Sequence, residues 1–369
     1  MEVPFADLGR ATARVRPALD AAAARVFDSG WFVLGREGEA FEEEFAQAIG
    51  SRHAVAVASG TDAIELALRA LGIGPGDEVV TQANTCVPTV AAIERAGATP
   101  VLCDVEPDAA TIDPDSLRGA ITPRTRAIVP VHLYGQVGDL DAVLALAAEH
   151  GIAVVEDCAQ AHGAALAGRA AGTTGLLGAF SFYPTKNLGA LGDGGAVVTG
   201  DEALAEHLRL LRQYGQADRY HHVQHGVNSR LDELQAALLR AKLAHLPADN
   251  ARRNAIAARY DEALADGPVR PLARLADRDH AFHLYVVIAP DRQALQSALE
   301  RHGIATLVHY PRPVHGHPPY AALGEGPVSL ATSERLAAGV VSLPMYPELT
   351  DAEVDYVSGV LREVTLAVA

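Results

Sequence analysis

Three short stretches of this chain carry side chains that could do chemistry together. The first, "ASGTDA" (58–63), places small residues where an apolar run stops and a helical pattern starts. Backbone N–H groups of Gly60, Thr61 and Asp62 are expected to be free in such a turn, and with the helix dipole they form an anion site. Alone, the turn reads more simply as a helix start capped by Ser59 or Thr61. The second, "IAVVEDCAQAHG" (152–163), ends an apolar strand near Asp157. A carboxylate there either caps a helix or pairs with a buried arginine, or it keeps a facing heteroaromatic nitrogen protonated. The third, "AFSFYPTKNLGALGDGGAVVTG" (179–200), sets Lys186 between an aromatic run and a glycine-dense loop. A lysine crowded in this way loses its proton readily and becomes a nucleophilic amine. The glycines follow the lysine and lead into a strand, so the stretch is not the phosphate loop of nucleotide hydrolases. No G-x-G-x-x-G occurs, which disfavours a nicotinamide-binding module.

The elements around these stretches alternate. "HAVAVAS" (53–59), "DEVVTQ", "TPVLCDV", "RTRAIVPVHLYG" and "IAVVEDC" (152–158) read as strands. Residues 61–72, 87–97 and 139–151 between them carry apolar positions at helical spacing. Such alternation predicts an α/β fold with a mainly parallel sheet covered by helices on both faces. Ligands then sit beyond the carboxyl ends of the strands, where all three stretches arrive. Paired strands flank Lys186, and 229–246 reads as one long amphipathic helix. Beyond it the texture changes to an arginine-bearing helix, a strand, a further helix and the proline-rich "VHYPRPVHGHPPY". The expected division is a large α/β domain over 1–240 and a smaller α+β domain over 241–369.

The chain has 369 residues and a net charge of −16, so its surface repels polyanions and nucleic acid is not an expected partner. Its three cysteines, Cys86, Cys103 and Cys158, lack C-x-x-C spacing, which fits a reducing compartment and predicts neither disulfides nor a metal site. No apolar run has signal-peptide or membrane-helix length, so a cytoplasmic protein is expected, with no membrane association.

A phosphate site, an aspartate and a lysine in that chain order are the outfit of a pyridoxal phosphate enzyme, which needs a Schiff-base lysine and an acidic partner for the pyridine nitrogen. "VASGTDAIELAL", "VVEDCAQAHGA", "AFSFYPTKNLGALGDGGAVVT" and "GVNSRLDELQAALLRAKL" resemble the signature blocks of the DegT/DnrJ/StrS aminotransferases of fold type I. The likeness runs from "SGWFVLGREGEAFEEEFA" to "VSLPMYPELTD". It implies pyridoxal 5'-phosphate as cofactor, Lys186 as the Schiff-base lysine and Asp157 on the pyridine nitrogen. It further implies Gln160 on the ring's phenolic oxygen, Ala159 under the ring, and Gly60, Thr61 and Ser181 on the phosphate. Asn228 resembles an asparagine that reaches the phosphate in the neighbouring subunit, which implies a homodimer with shared sites. Cys86 stands where the family usually has an aromatic that stacks on the ring, so stacking is expected to be weaker there or supplied elsewhere.

The same resemblance implies amino transfer from L-glutamate to a nucleotide-linked keto-sugar. "VHLYGQVGDLD" (131–141) is more similar to members acting on a dTDP-3-keto-6-deoxyhexose, with amination at C3, than to those acting at C4. Tyr183, Asn187, His309, Tyr310 and His315 are the candidate sugar or nucleotide contacts; a proline-stiffened surface loop with incidental histidines is the plainer reading of the last three. Relatives that aminate cyclitols or make an aminohydroxybenzoate share the fold. So do 3-dehydratases, which carry histidine where Lys186 stands, and a ligand sensor built on the same fold is the non-enzymatic alternative.

Overall fold

Before the alternating region the chain folds into helices α1 (Leu8–Arg14), α2 (Arg16–Ser29) and α3 (Arg36–Ile49). The computed structural model describes residues 1–367. The alternation then follows the sequence closely: β1 (His53–Val57), α4 (Gly60–Ala70), β2 (Glu78–Gln82), α5 (Val87–Arg95), β3 (Thr99–Cys103), α6 (Pro114–Ala120), β4 (Thr125–Val129), α7 (Leu140–His150) and β5 (Ala153–Asp157). Local chemistry sets many of the boundaries. Asp139 caps α7 by accepting from the N–H of Ala142, and Gly151 ends it in the left-handed conformation at φ 65°. Ser59 caps α4 in the same manner through Asp62.

After β5 come the two-residue strands β6 (Ala165–Leu166) and β7 (Arg169–Ala170), then β8 (Leu177–Ser181), β9 (Gly195–Thr199) and α8 (Glu202–Leu211). The central sheet has seven strands in the order β1-β9-β8-β5-β4-β2-β3. Only β9 runs against its neighbours, pairing antiparallel with both β1 and β8. The carboxyl ends of β1, β5 and β8 therefore lie on one edge, and the loop from β8 to β9 carries Lys186 across it. One face is closed by α4, α5 and α8, with Ile64, Leu68, Ile93 and Leu208 in the core. On the other, Phe41 and Phe45 of α3 interlock edge-on with Phe180 and Phe182 of the β8 segment.

A short ribbon, β10 (Gln216–Asp218) with β11 (His221–His222), precedes α9 (Glu233–Leu243) and α10 (Leu246–Leu264). The expected helix over 229–246 starts later because the chain first makes bridges, Asn228 with Gln213 and Asp232 with Val33. Pro247, in the first turn of α10, separates the two helices. Beyond α10 lie β12 (Arg270–Pro271), β13 (Arg278–Asp279), β14 (Tyr285–Ile288), α11 (Arg292–Arg301), α12 (Ala331–Gly339), β15 (Val340–Leu343) and α13 (Asp351–Ala367). Antiparallel β12-β14-β15 and helices α10, α11 and α13 enclose a second core around Tyr260, Tyr285, Leu299 and Leu361. Val3 belongs to that core and bridges to Ile304, so the first residues of the chain sit with its last third. Among the described residues no helix is long and apolar enough to cross a membrane.

Candidate active site

At the end of β1, the N–H groups of Gly60 and Thr61 have no partner among the described residues. The turn is packed to the limit: a Cβ on Gly60 would stand 2.5 Å from Cβ of Ser181, and one on Gly195 would stand 2.3 Å from the carbonyl oxygen of Ser59. Two free amides on a helix start, with the Ser181 hydroxyl beside them, suit a phosphate dianion. The cradle is braced by Ser229, whose Oγ accepts from the N–H of Ala58 at 3.1 Å and donates to Asp62 at 2.8 Å. Its neighbour Asn228 is exposed.

Asp157 ends β5 and is 4% exposed. Its Oδ2 accepts from Thr89 Oγ1 at 2.8 Å and its Oδ1 from the N–H of Ala159 at 3.1 Å. Burial pushes its pKa up, against the pull of these two donors and of the Lys186 charge. Among the described residues no cation pairs with it. A buried carboxylate held by donors yet left without a counter-ion fits a cationic ring nitrogen. Gln160 lies one turn on. Its Oε1 accepts from the N–H of Tyr134 at 2.7 Å, so its Nε2 faces the hydroxyl of Tyr310 at 3.2 Å and keeps a second hydrogen for another oxygen. Half-buried Cys86 precedes α5, near the Tyr310 hydroxyl.

The loop bearing Lys186 is tight. Its N–H donates to the Tyr183 carbonyl at 2.8 Å, and a Cβ on Gly189 would meet the Pro184 carbonyl oxygen at 2.3 Å. Lys186 opens onto a cavity of about 310 Å³ that Asn187, His283 and His309 also line. The surrounding protein lowers its pKa, partly offset by Asp157, so a neutral amine is within reach. His309 Nδ1 lies 2.8 Å from Ser342 Oγ, and burial with the Lys186 charge pushes its pKa down to about 4. Tyr183 is exposed at the rim of this loop. Asn187 instead ties the loop to other elements through Asn250, Ala281 and His283. His315 stands apart from the cavity, paired with Glu334 at 3.1 Å.

The sequence reading missed Thr89, Asn250 and His283. Thr89 is a polar residue on the buried face of α5, a pattern visible in "CVPTVAAI"; nothing local marks the other two. His132, Glu156 and Cys158 come close together beneath the site. Glu156 already accepts from the N–H groups of Gly172, Thr174 and Gly175 and faces His132 Nε2 at 2.8 Å, while burial keeps the Cys158 thiol protonated. That group is a hydrogen-bonded floor under β5.

Comparison with known proteins gives a consistent result. The profile of the DegT/DnrJ/EryC1/StrS aminotransferase family matches residues 15–362. A dTDP-3-amino-3,4,6-trideoxy-alpha-D-glucose transaminase of Streptomyces venezuelae is 51% identical over 98% of this chain and 96% of its own length. The erythromycin biosynthesis sensory transduction protein EryC1 of Saccharopolyspora erythraea is 50% identical over 98% of this chain and 99% of its own. The crystal structure of S. venezuelae DesV in complex with a ketimine intermediate superposes with a TM-score of 0.95 at 51% identity, covering 98% of both chains.

Proposed function

The chain belongs to the DegT/DnrJ/EryC1/StrS aminotransferase family and is a pyridoxal-phosphate-dependent sugar aminotransferase, and we propose that it sets an amino group at C3 of a dTDP-linked 3-keto-deoxyhexose, with L-glutamate as donor. The substrate follows from the names of its relatives. The observation that carries the chemistry is the buried carboxylate of Asp157, without a counter-ion, on the same sheet edge as a free-amide anion cradle and the Lys186 amine.

When bound, the cofactor supplies an aldehyde for amines and a protonated ring that accepts electrons. Gly60, Thr61 and Ser181 would hold its phosphate, Gln160 its phenolic oxygen, Ala159 would pack under the ring, and Asp157 would keep the proton on its nitrogen. Lys186 would carry the cofactor at rest. Once freed, its Nζ would take the proton from the donor's α-carbon and return one to the sugar-derived carbon; its lowered pKa makes the neutral amine available. His309, which lines the cavity, and its chain neighbour Tyr310 would touch the sugar. Asn187 would act by positioning, since its amide is already engaged.

A homodimer is part of the reading. Trp31, Phe32, Leu191, Tyr214 and Tyr220 are large apolar side chains exposed in the single chain, and a partner subunit covering them would bring Asn228 to the other site's phosphate. The smaller domain would begin near residue 241, and the three free cysteines suit a cytoplasmic setting. Because EryC1 is named a sensory transduction protein, a sensor is the reading to test against. The loaded protein should lose its visible absorbance on adding L-glutamate and regain it with a dTDP-3-keto-deoxyhexose, with the new amine at C3 by NMR. A protein that holds the cofactor but shows no bleaching is a sensor, and an amine at C4 overturns the substrate assignment.

A further inference from the structure

His283 lies just before β14, is buried, and lines the Lys186 cavity. Its tautomer can be read from a run of hydrogen bonds anchored on backbone carbonyls, which only accept. The His162 carbonyl accepts from Asn250 Nδ2 at 2.8 Å, so Asn250 presents its Oδ1 on the other side. That oxygen accepts from Asn187 Nδ2 at 2.9 Å, and the same nitrogen donates to the Ala281 carbonyl at 2.8 Å. Both amide hydrogens of Asn187 are thereby used, and its Oδ1 is what remains to face His283 Nδ1 at 3.1 Å. An oxygen acceptor requires the hydrogen to be on Nδ1.

The ring is also neutral. Burial pushes its pKa well below the ordinary value, with the charges of Lys186 and Arg253 and the rings of His162 and His309 acting in the same direction. Nε2 therefore carries a lone pair and no hydrogen. Among the described residues it has no partner, and unlike both ring nitrogens of His162 it is not sealed from the cavity.

An amine that is to take a proton from carbon must keep its lone pair for that carbon and place its N–H bonds elsewhere. We propose that Nε2 of His283 accepts one N–H of the Lys186 amine and so aims the amine lone pair at the substrate, with Asn187 and Asn250 fixing the required tautomer. The opposite tautomer would donate to that lone pair and block it. His283 neither gains nor loses a proton in this role; it is a positioning residue. The inference rests on Lys186 being the reacting amine.

Two measurements test it. In cofactor-loaded protein labelled with 15N-histidine, the His283 signals, identified by their loss in His283→Asn or His283→Gln, should be pyrrole-type at Nδ1 and pyridine-type at Nε2, and remain so at pH 5. In a single turnover with L-glutamate, His283→Asn keeps a donor for Asn187 but loses the acceptor. Its rate constant should fall about tenfold, the worth of one hydrogen bond, with donor affinity unchanged. His283→Gln, able to present an oxygen where Nε2 stood, should recover part of the loss. A pyrrole-type Nε2, or a wild-type rate in His283→Asn, overturns the proposal. Lys186→Ala separates the levels: if it still turns over, the functional reading itself fails, whereas an inert Lys186→Ala beside a wild-type His283→Asn removes this inference alone.

Discussion

Replacing Thr89 by valine keeps the shape of a buried side chain and deletes one hydroxyl. That hydroxyl donates to Asp157 Oδ2 at 2.8 Å, and both residues are buried. A hydrogen bond to a charged group is worth about 1.5–3 kcal/mol, which is about 10- to 150-fold in an equilibrium or rate constant. Thr89→Val should push the Asp157 pKa further up, weaken its hold on a protonated ring nitrogen, and lower kcat/KM by that factor. The sign against pH follows from the same bond. Above the Asp157 pKa the carboxylate is charged, the bond contributes in full, and wild-type protein is the more stable. As pH falls through that pKa the carboxyl protonates and the difference shrinks. Urea unfolding of cofactor-free wild-type and Thr89→Val protein over a pH series descending from 8 to the acid limit of the folded state, with cofactor titration at pH 8, measures both effects. Activity within twofold of wild type, or a stability difference that ignores pH, would refute the assignment of Thr89 as the donor that keeps Asp157 charged.

Gly195→Ala places a Cβ 2.3 Å from the Ser59 carbonyl oxygen, where both neighbours are backbone. It should destabilise the protein by about 1–3 kcal/mol and loosen the anion cradle, seen as weaker cofactor binding in a fluorescence titration; unchanged binding would show that Ser59–Gly60 does not shape the site. Acid should unfold the protein steeply. Burial holds the pKa of His162 and His280 down to about 3 and that of His309 to about 4. The stability these groups contribute is present above the unfolded value near 6.5 and falls as pH drops below it, by about 1.4 kcal/mol per pH unit for each histidine. Urea midpoints that stay flat from pH 7 to 5 would contradict that. Asn228→Ala should weaken cofactor binding about tenfold without loosening the fold if its amide reaches a partner's phosphate, and mixing it with Lys186→Ala should restore activity in one of the two sites of a hybrid dimer; no restoration would argue for self-contained sites.

Strands at 53–59 and 152–158 were legible because buried β-runs between glycine-bounded helical periods leave few alternatives, and they emerge as His53–Val57 and Ala153–Asp157. The lysine hairpin was legible for the same reason. The N-terminal helices were less so: α2 buries Leu19, Ala22 and Val26 in a run of alanines that gives little contrast between faces. The start of α9 at Glu233 depends on bridges to Val33 and Gln213, which no local pattern encodes. Within the site, chain order pointed to Gly60, Asp157 and Lys186, which lie at or just beyond the carboxyl ends of β1, β5 and β8. Thr89 and His283 lie far along the chain from the groups they serve, so their meaning arises only when α5 and the segment before β14 are folded against the sheet. Asn187 shows the converse, since standing next to Lys186 suggested a sugar contact, while its amide is engaged by the protein.

The measurement that bears most directly on the account is borohydride reduction of the cofactor-loaded protein, followed by digestion and mass spectrometry. A single phosphopyridoxyl group on Lys186, absent after prior exposure to L-glutamate, is the predicted result. A label on another lysine, or none on a protein that still aminates sugar, would contradict it.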